Sequence, residues 1–431
     1  MPKLAHADVL FLLIQISVLL ITARIFGEAA RRFRQPTVIG ELFAGIFIGP
    51  TLIGGLFPSF IDWLFKTHKN AYIAYDGLTS VSMVFLMFVA GMEVEFENIL
   101  KRGKVSIIIT ATGTLIPFIL GFGIGWIAHP YLDLSTDQLL FAMFSGTALS
   151  ISALPVIAKI LLDLSLIKTD LGSIIIASAT LSDIIGWLLL SVILSNIGTT
   201  HHQYSIAFTL LMTVLFTVIT LTAGRWIINK LLPLFKQNFA GQGGIITFAL
   251  CTCFAGAAFT EYIGIHALFG AFIVGIAFGD SFYFSEKSRE IVYQFVTNIF
   301  APLFFASVGL RVNFIANFDL SIVLAILSVA FLAKFLGSFV GGYISGLRSY
   351  QALVVGAGLN ARGAMEIILG LIALEYKIID EKVFVGLVIM ALITSMTSGG
   401  LMKYFLKKEK KKNKVFSKAE DNIQDKVPSN A

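Results

Sequence analysis

From Ile174 to Ile193 the chain reads IIIASATLSDIIGWLLLSVI, with one ionisable side chain, Asp183. As a helix rising 1.5 Å per residue, such a run measures about 30 Å, the thickness of the hydrocarbon layer of a bilayer. Comparable stretches recur about thirteen times, near 8–28, 37–57, 74–92, 105–128, 138–162, 172–196, 205–229, 243–261, 264–280, 291–310, 319–345, 350–375 and 382–405. Their apolar residues do not alternate with polar ones. Of the two structures that satisfy every backbone group in lipid, helices and closed barrels, helices therefore fit. Composition agrees: 57% of the 431 residues are hydrophobic and 13% charged, against about a quarter charged in soluble domains. The fold class is an all-α polytopic membrane protein.

The net charge of +6 does not imply a nucleic-acid partner, because the basic residues fall between apolar runs and in a tail that reads KYFLKKEKKKNKVFSK. Membrane topology accounts for them. Arg31, Arg32 and Arg34, then Lys101, Arg102 and Lys104, Lys168, Lys230 and Lys236, Lys287 and Arg289, Arg348 and the tail all fall on one side. The opposite loops hold only Lys66, Lys69, Arg311, Lys377 and Lys382, and the one with His201 and His202 has none. The N-terminus is expected outside and the C-terminus in the cytoplasm. The first run lacks a charged n-region and a small-residue cleavage site, so it reads as a retained helix. Cys251 and Cys253 are too few and too close for a disulfide framework or a zinc site.

An odd number of spans suits two halves of opposite orientation, spans one to six and eight to thirteen, joined by the seventh. That is the plan of an inverted repeat, common among secondary transporters. Span five is interrupted by FSGTALSISALPVIAK, with Gly146 and Pro155, and span twelve by GAGLNARGAMEIILG, with Gly356, Gly358 and Gly363. Matching breaks in both halves point to discontinuous helices and a site at the bilayer midplane.

Ionisable groups inside the membrane are costly and mark function. Asp183 lies near the middle of span six. Lys334, in FLAKFLGSFVGG, is too deep in span eleven to snorkel and needs a buried partner or a neutral form. Arg362 and Glu366 are four apart, on one face if helical, with the alternative of meeting bare helix ends at the break. Glu41, Glu261 and His266 read as boundary residues.

Taken together, the strings RQPTVIGELFAGIFIGP, VFLMFVAGMEVE, FSGTALSISALPVIAKIL, ATLSDIIGW, APLFFASVGL, AKFLG and GLNARGAMEIILG resemble the monovalent cation:proton antiporter-2 family, in particular its NapA-like sodium/proton antiporters. The resemblance covers roughly residues 8 to 406. It implies a homodimer in a bacterial inner membrane, with a scaffold of about 8–92 and 243–310, a linker helix of about 205–229 and a moving core of about 105–196 and 319–405 that shifts like an elevator. Asp183 matches the family's ion-binding aspartate, Lys334 its core lysine and Arg362 the arginine beside the second break. Ser152 falls where the family has a hydroxyl in the first break. Substrates would be Na⁺ or K⁺ and H⁺, with no cofactor and no enzymatic activity.

Two departures bear on mechanism. Many electrogenic members carry two adjacent aspartates in span six, where this chain has Ser182 and Asp183, so the partner that the lysine has in those relatives is missing. The family's arginine, glycine, glutamate order is RGAME here, placing the acid two positions later. In place of the regulatory domain of glutathione-gated potassium efflux members, residues 407–431 are expected to form a short basic tail without ordered structure.

The residues support exchange if Asp183 holds either a proton or a cation, with Ser182, Ser152, unwound carbonyls and water completing an oxygen shell. One carboxylate favours one-for-one, electroneutral exchange, although release of a proton by Lys334 would make it electrogenic. A cation channel and a proton-coupled symporter remain as alternatives. No TVGYG-type filter favours the first, and no H-E-x-x-H supports an intramembrane enzyme.

Overall fold

A computed structural model of the chain describes residues 3–33, 35–94, 103–132, 134–167, 169–195, 206–238 and 242–424. The loop residues Arg34, Lys101, Arg102, Lys168, His201 and His202 lie outside that set, as do the last residues of the tail. The longer helices are α1 (His6–Arg32), α2 (Thr37–Ile48), α3 (Lys69–Met92), α4 (Gly103–Ala128), α5 (Gln138–Ser150), α6 (Leu154–Asp163), α7 (Asp170–Ser195), α8 (Ile206–Ile219) and α9 (Arg225–Asn238). They continue as α10 (Gln242–Tyr262), α11 (Ala267–Gly279), α12 (Glu286–Phe295), α13 (Ala301–Arg311), α14 (Leu320–Ile344), α15 (Ser349–Leu359), α16 (Ala364–Glu375) and α17 (Glu381–Gln424). Among the described residues, eleven helical segments are long and apolar enough to cross a membrane, and two shorter apolar helices, α11 and α15, accompany them. The protein is an all-helical, multi-pass membrane protein.

Helix ends are set locally. Asp137 accepts hydrogen bonds from the N–H groups of Leu139 (3.0 Å) and Leu140 (3.3 Å) at the start of α5. Asp319 does the same for Ser321 (2.9 Å) and Ile322 (3.2 Å) at the start of α14. Each cap satisfies donors that a helix leaves bare in its first turn. Where 264–280 reads as a span, α11 is only thirteen residues, about 20 Å at 1.5 Å per residue. Its residues from Leu268 to Phe278 are all buried, so it packs wholly within protein between α3 and α10.

Glycine lets these helices approach closely, as small residues do in membranes. A Cβ added to Gly45 of α2 would lie 2.0 Å from the Ala306 carbonyl of α13, and one on Gly91 of α3 would lie 2.1 Å from that of Phe272 in α11. The same device recurs in a related way in the two broken regions. Gly146 of α5 lies against the carbonyl and ring of Phe118 in α4, and Gly356 of α15 against those of Phe335 in α14, a Cβ meeting either carbonyl at 2.8 Å. Equivalent contacts at equivalent places of the two halves are what an inverted repeat produces.

Two groups of packed helices result. In one, α1 packs on α2, α2 on α13 and α3 on α11; in the other, α4 packs on α5 and α14, with α15 and α17 against α14. The tail differs from its sequence reading: α17 continues to Gln424. Residues 407–424 hold lysine, glutamate and alanine, good helix formers, and neither glycine nor proline, so nothing there stops the helix.

Candidate ion-binding site

Two helices are broken and cross. α5 ends at Ser150, residues 151–153 are extended, and α6 begins at Leu154. Pro155 explains the break, since its ring lacks an N–H and would clash with the carbonyl of Ile151 if the helix ran through. In the other half α15 ends at Leu359, and α16 begins at Ala364 after a break that ends in Gly363. The two breaks bond to one another. Ala153 N–H donates to the Ala361 carbonyl at 2.9 Å, and the Ser152 hydroxyl donates to the Leu359 carbonyl at 2.7 Å. Gly363 is closely packed here: a Cβ would lie 2.8 Å from Val156 Cγ2 and 3.2 Å from Ala153 Cβ, so Val156 would have to move.

The crossing leaves bare carbonyls at the end of α5, where the helix dipole is negative. Two cations cover them. Arg362 donates to the carbonyls of Ala148 (2.8 Å) and Leu149 (2.5 Å) and pairs with Glu366 at 3.0 Å. The two readings of Arg362 were alternatives in the sequence, and the folded chain satisfies both. Ser395 donates to the carbonyl of Arg362 itself. Lys334 reaches the next carbonyl, that of Ser150, and also donates to the Ser182 hydroxyl at 3.2 Å. A lysine left without a second aspartate has therefore found the serine in its place together with a helix end.

Asp183 sits beside this arrangement, 2% exposed. The backbone N–H of Leu154, at the start of α6, is directed at its carboxylate, and Lys334 acts on it electrostatically. Its Oδ1 has no hydrogen-bond partner. The carboxylate thus meets the positive end of one half-helix while the lysine caps the negative end of the other. Ser182, one residue before, contacts the Ser150 carbonyl (3.4 Å) and the Thr114 hydroxyl (3.5 Å).

All six residues singled out in the sequence, Ser152, Ser182, Asp183, Lys334, Arg362 and Glu366, are buried around these breaks. Asn360 was missed. It is fully buried in the second break, and neither its Oδ1 nor its Nδ2 has a hydrogen-bond partner. A buried amide with both ends unpaired is rare. Its signal was present in GLNARG, an amide between two helix-breaking glycines, but an uncharged amide costs less in the membrane than a charge and stands out less from composition. Glu41, read as a boundary residue, is buried, whereas Glu261 does bind a helix end, accepting from Ala267 N–H at 2.8 Å. Among the described residues no cluster of three metal-ligating side chains occurs.

A family model described as "Sodium/hydrogen exchanger, transmembrane" matches residues 16–408. The chain is 31% identical over 399 residues to the Na(+)/H(+) antiporter NhaS4 of Synechocystis sp., covering 91% of this chain and 96% of that protein. It is 28% identical to the Na(+)/H(+)-K(+) antiporter GerN of Bacillus cereus, covering 90% and 95%. Cation/H(+) antiporter 19 of Arabidopsis thaliana is 29% identical, with 93% of this chain covered but only 50% of that protein. The chain thus spans about half the length of the plant relatives and nearly all of the bacterial ones. Its fold matches a solved structure of the sodium proton antiporter MjNhaP1 from Methanocaldococcus jannaschii, with a TM-score of 0.64 at 16% identity, over 93% of this chain and 99% of that one. By sequence over nearly its whole length, with a fold that agrees, the chain belongs to the transmembrane sodium/hydrogen exchanger family.

Proposed function

We propose that this chain is a secondary active antiporter that exchanges a monovalent cation, Na⁺ or K⁺, for a proton at Asp183. The observation that carries the reading is a fully buried carboxylate with one unpaired oxygen, set between two half-helix ends. Such a group needs something to neutralise it. A proton on Oδ1 does so, and so does a cation on the same oxygen, but the two exclude each other. For a cation the shell would draw on Asp183, the hydroxyls of Ser182 and Ser152, the Asn360 amide oxygen and water, all hard oxygen ligands.

The charge count supports one-for-one exchange. Asp183 and Glu366 balance Lys334 and Arg362 when all four are ionised, and adding either a proton or a monovalent cation at Asp183 leaves the same net charge of about +1. The two loaded forms then move identical charge, so the cycle is electroneutral as long as Lys334 keeps its proton. Hydrogen bonds from Lys334 to the Ser150 carbonyl and the Ser182 hydroxyl favour the protonated amine in this conformation.

Movement would carry α4 to α7 with α14 to α17 as a core past a scaffold of α1 to α3 with α10 to α13. The scaffold of a second copy would complete a homodimer. By the distribution of basic residues, the start of α2 and the end of α3 face the cytoplasm. In that orientation a cavity lined by Glu41, Glu93, Pro155 and Met365 opens inward. On the other side Arg311, at the end of α13, binds Asp76 of α3 and reaches Glu375 of α16 at 3.5 Å, closing scaffold on core.

Reconstitution into proteoliposomes tests the reading. Adding Na⁺ or K⁺ to vesicles holding a pH gradient should dequench a pH-sensitive dye in proportion to cation. Clamping the membrane potential between zero and −100 mV should change that rate less than about twofold, against the ~2.3 kcal/mol that this potential would exert on one net charge. A steep dependence on potential would overturn one-for-one exchange and point to a second proton, for which Lys334 is the candidate carrier.

A further inference from the structure

The inward cavity has a volume of about 420 Å³ and lies between α2, α3, α6 and α12 to α13. Its inner end reaches Pro155 and Val156, directly after Leu154, whose N–H is directed at Asp183. Most of its wall is apolar, but two carboxylates line it on the scaffold side, Glu41 of α2 and Glu93 at the end of α3. Glu41 is only 6% exposed, and its Oε2 has no hydrogen-bond partner. Glu93 likewise leaves a buried Oε2 unpaired. Neither is used by the exchange chemistry at Asp183.

The groups that face them are few. Arg24 of α1 acts on Glu41, and Thr37 lies near it. That guanidinium also donates to Asn298 at 3.2 Å, so it is shared. Tyr293 lies near Glu93. Across the cavity, on the core side, stands Lys159 of α6. Among the described residues no ion pair joins Glu41 or Glu93 to any of these cations. Two carboxylates with unpaired oxygens, in a cleft with low-dielectric walls, concentrate small cations when ionised, because such walls focus the field.

We infer that Glu41 and Glu93 form a second, outer site for a monovalent cation, a loading position in the cavity from which the ion passes to Asp183. Occupancy there raises the local cation concentration before the inner site is reached, and it is held by the scaffold rather than by the moving core. Lys159 faces the site from the core and competes with the cation for it. The inference rests on the proposed exchange function only for its transport readout.

Two measurements test it. In transport, Glu41→Gln, Glu93→Gln and the double variant should raise the KM for the cation, the double by about tenfold, the low end of the gain that field focusing provides, and by much more than kcat changes. The conservative Glu41→Asp/Glu93→Asp pair should restore it, and Lys159→Gln should lower it. In binding, purified Asp183→Asn protein should retain weak, saturable ²²Na⁺ binding that is lost in Asp183→Asn/Glu41→Gln/Glu93→Gln. This second arm does not depend on exchange, so failure of Asp183 as the exchange site and failure of the outer site read differently. An unchanged KM in the double variant, together with equal ²²Na⁺ binding in the two Asp183→Asn proteins, overturns the proposal. Lys159→Gln, on an exposed side chain, keeps the transport arm decisive if a glutamate variant does not fold.

Discussion

Asp183→Asn is expected to abolish cation-driven proton movement, to below about 1% of wild type, while the protein stays folded. The substitution keeps the shape and removes the one group that can alternate between proton and cation. The loss corresponds to at least ~2.7 kcal/mol, because each 1.36 kcal/mol is tenfold in rate. Stability should not suffer. Oδ1 is buried without a hydrogen-bond partner, so Lys334 and the Leu154 N–H compensate the buried charge only in part, and neutralising it removes a desolvation cost. A melting temperature equal to or above wild type is the outcome to look for in detergent. Ligand linkage supplies a second signature. Raising the cation to a hundred times its dissociation constant should stabilise the wild type by about 2.7 kcal/mol, and the exchange-site share of that gain should vanish in the variant. Cation-driven exchange that persists in Asp183→Asn protein removes Asp183 from the mechanism.

The second large effect falls on folding. Arg362 is wholly buried and its partner Glu366 is 2% exposed, and the guanidinium also holds the carbonyls of Ala148 and Leu149 across the crossing. Arg362→Ala leaves a buried carboxylate and a bare helix end together, so a loss of about 3–5 kcal/mol is expected, the usual consequence of removing one partner of a buried pair. Thermal melts of purified protein would report it. Adding Glu366→Gln to Arg362→Ala should recover part of the loss, since the stranded charge disappears, and the two changes should be strongly non-additive. Arg362→Lys should fall between, because an ammonium keeps the charge but cannot fork to two carbonyls and a carboxylate at once. A variant Arg362→Ala that melts with the wild type would mean that other contacts, such as those of Ser152 and Ala153 to the second break, hold the crossing alone.

These two residues differ in why they were visible. Asp183 stands out because nothing else in its span ionises, and lipid makes that conspicuous. Arg362 was ambiguous, since a spacing of four to Glu366 suggests a helical pair while the glycines around it suggest a break. The three-dimensional arrangement removes the conflict: Glu366 lies in the first turn of α16 and Arg362 just before it, close enough to pair while still reaching the end of α5. Lys334 was legible as a buried cation, but its partners were not, because they are the carbonyl of Ser150 and a hydroxyl from another helix. A carbonyl becomes a ligand only where a helix stops and another element approaches.

The amino-acid sequence by itself determined that the chain is a helical membrane protein with two breaks and a buried acid. Bilayer thickness and the cost of unpaired polar groups act on local composition, and local composition is what a sequence displays. Only the tertiary structure decided which groups meet. The crossing of α5–α6 with α15–α16, the capping of one half-helix by Lys334 and Arg362, the unpaired Asn360 and the cavity that joins Glu41 to Glu93 all depend on how helices distant in sequence approach one another. Those distances are set by contacts between residues more than two hundred positions apart, where periodicity and composition carry no information.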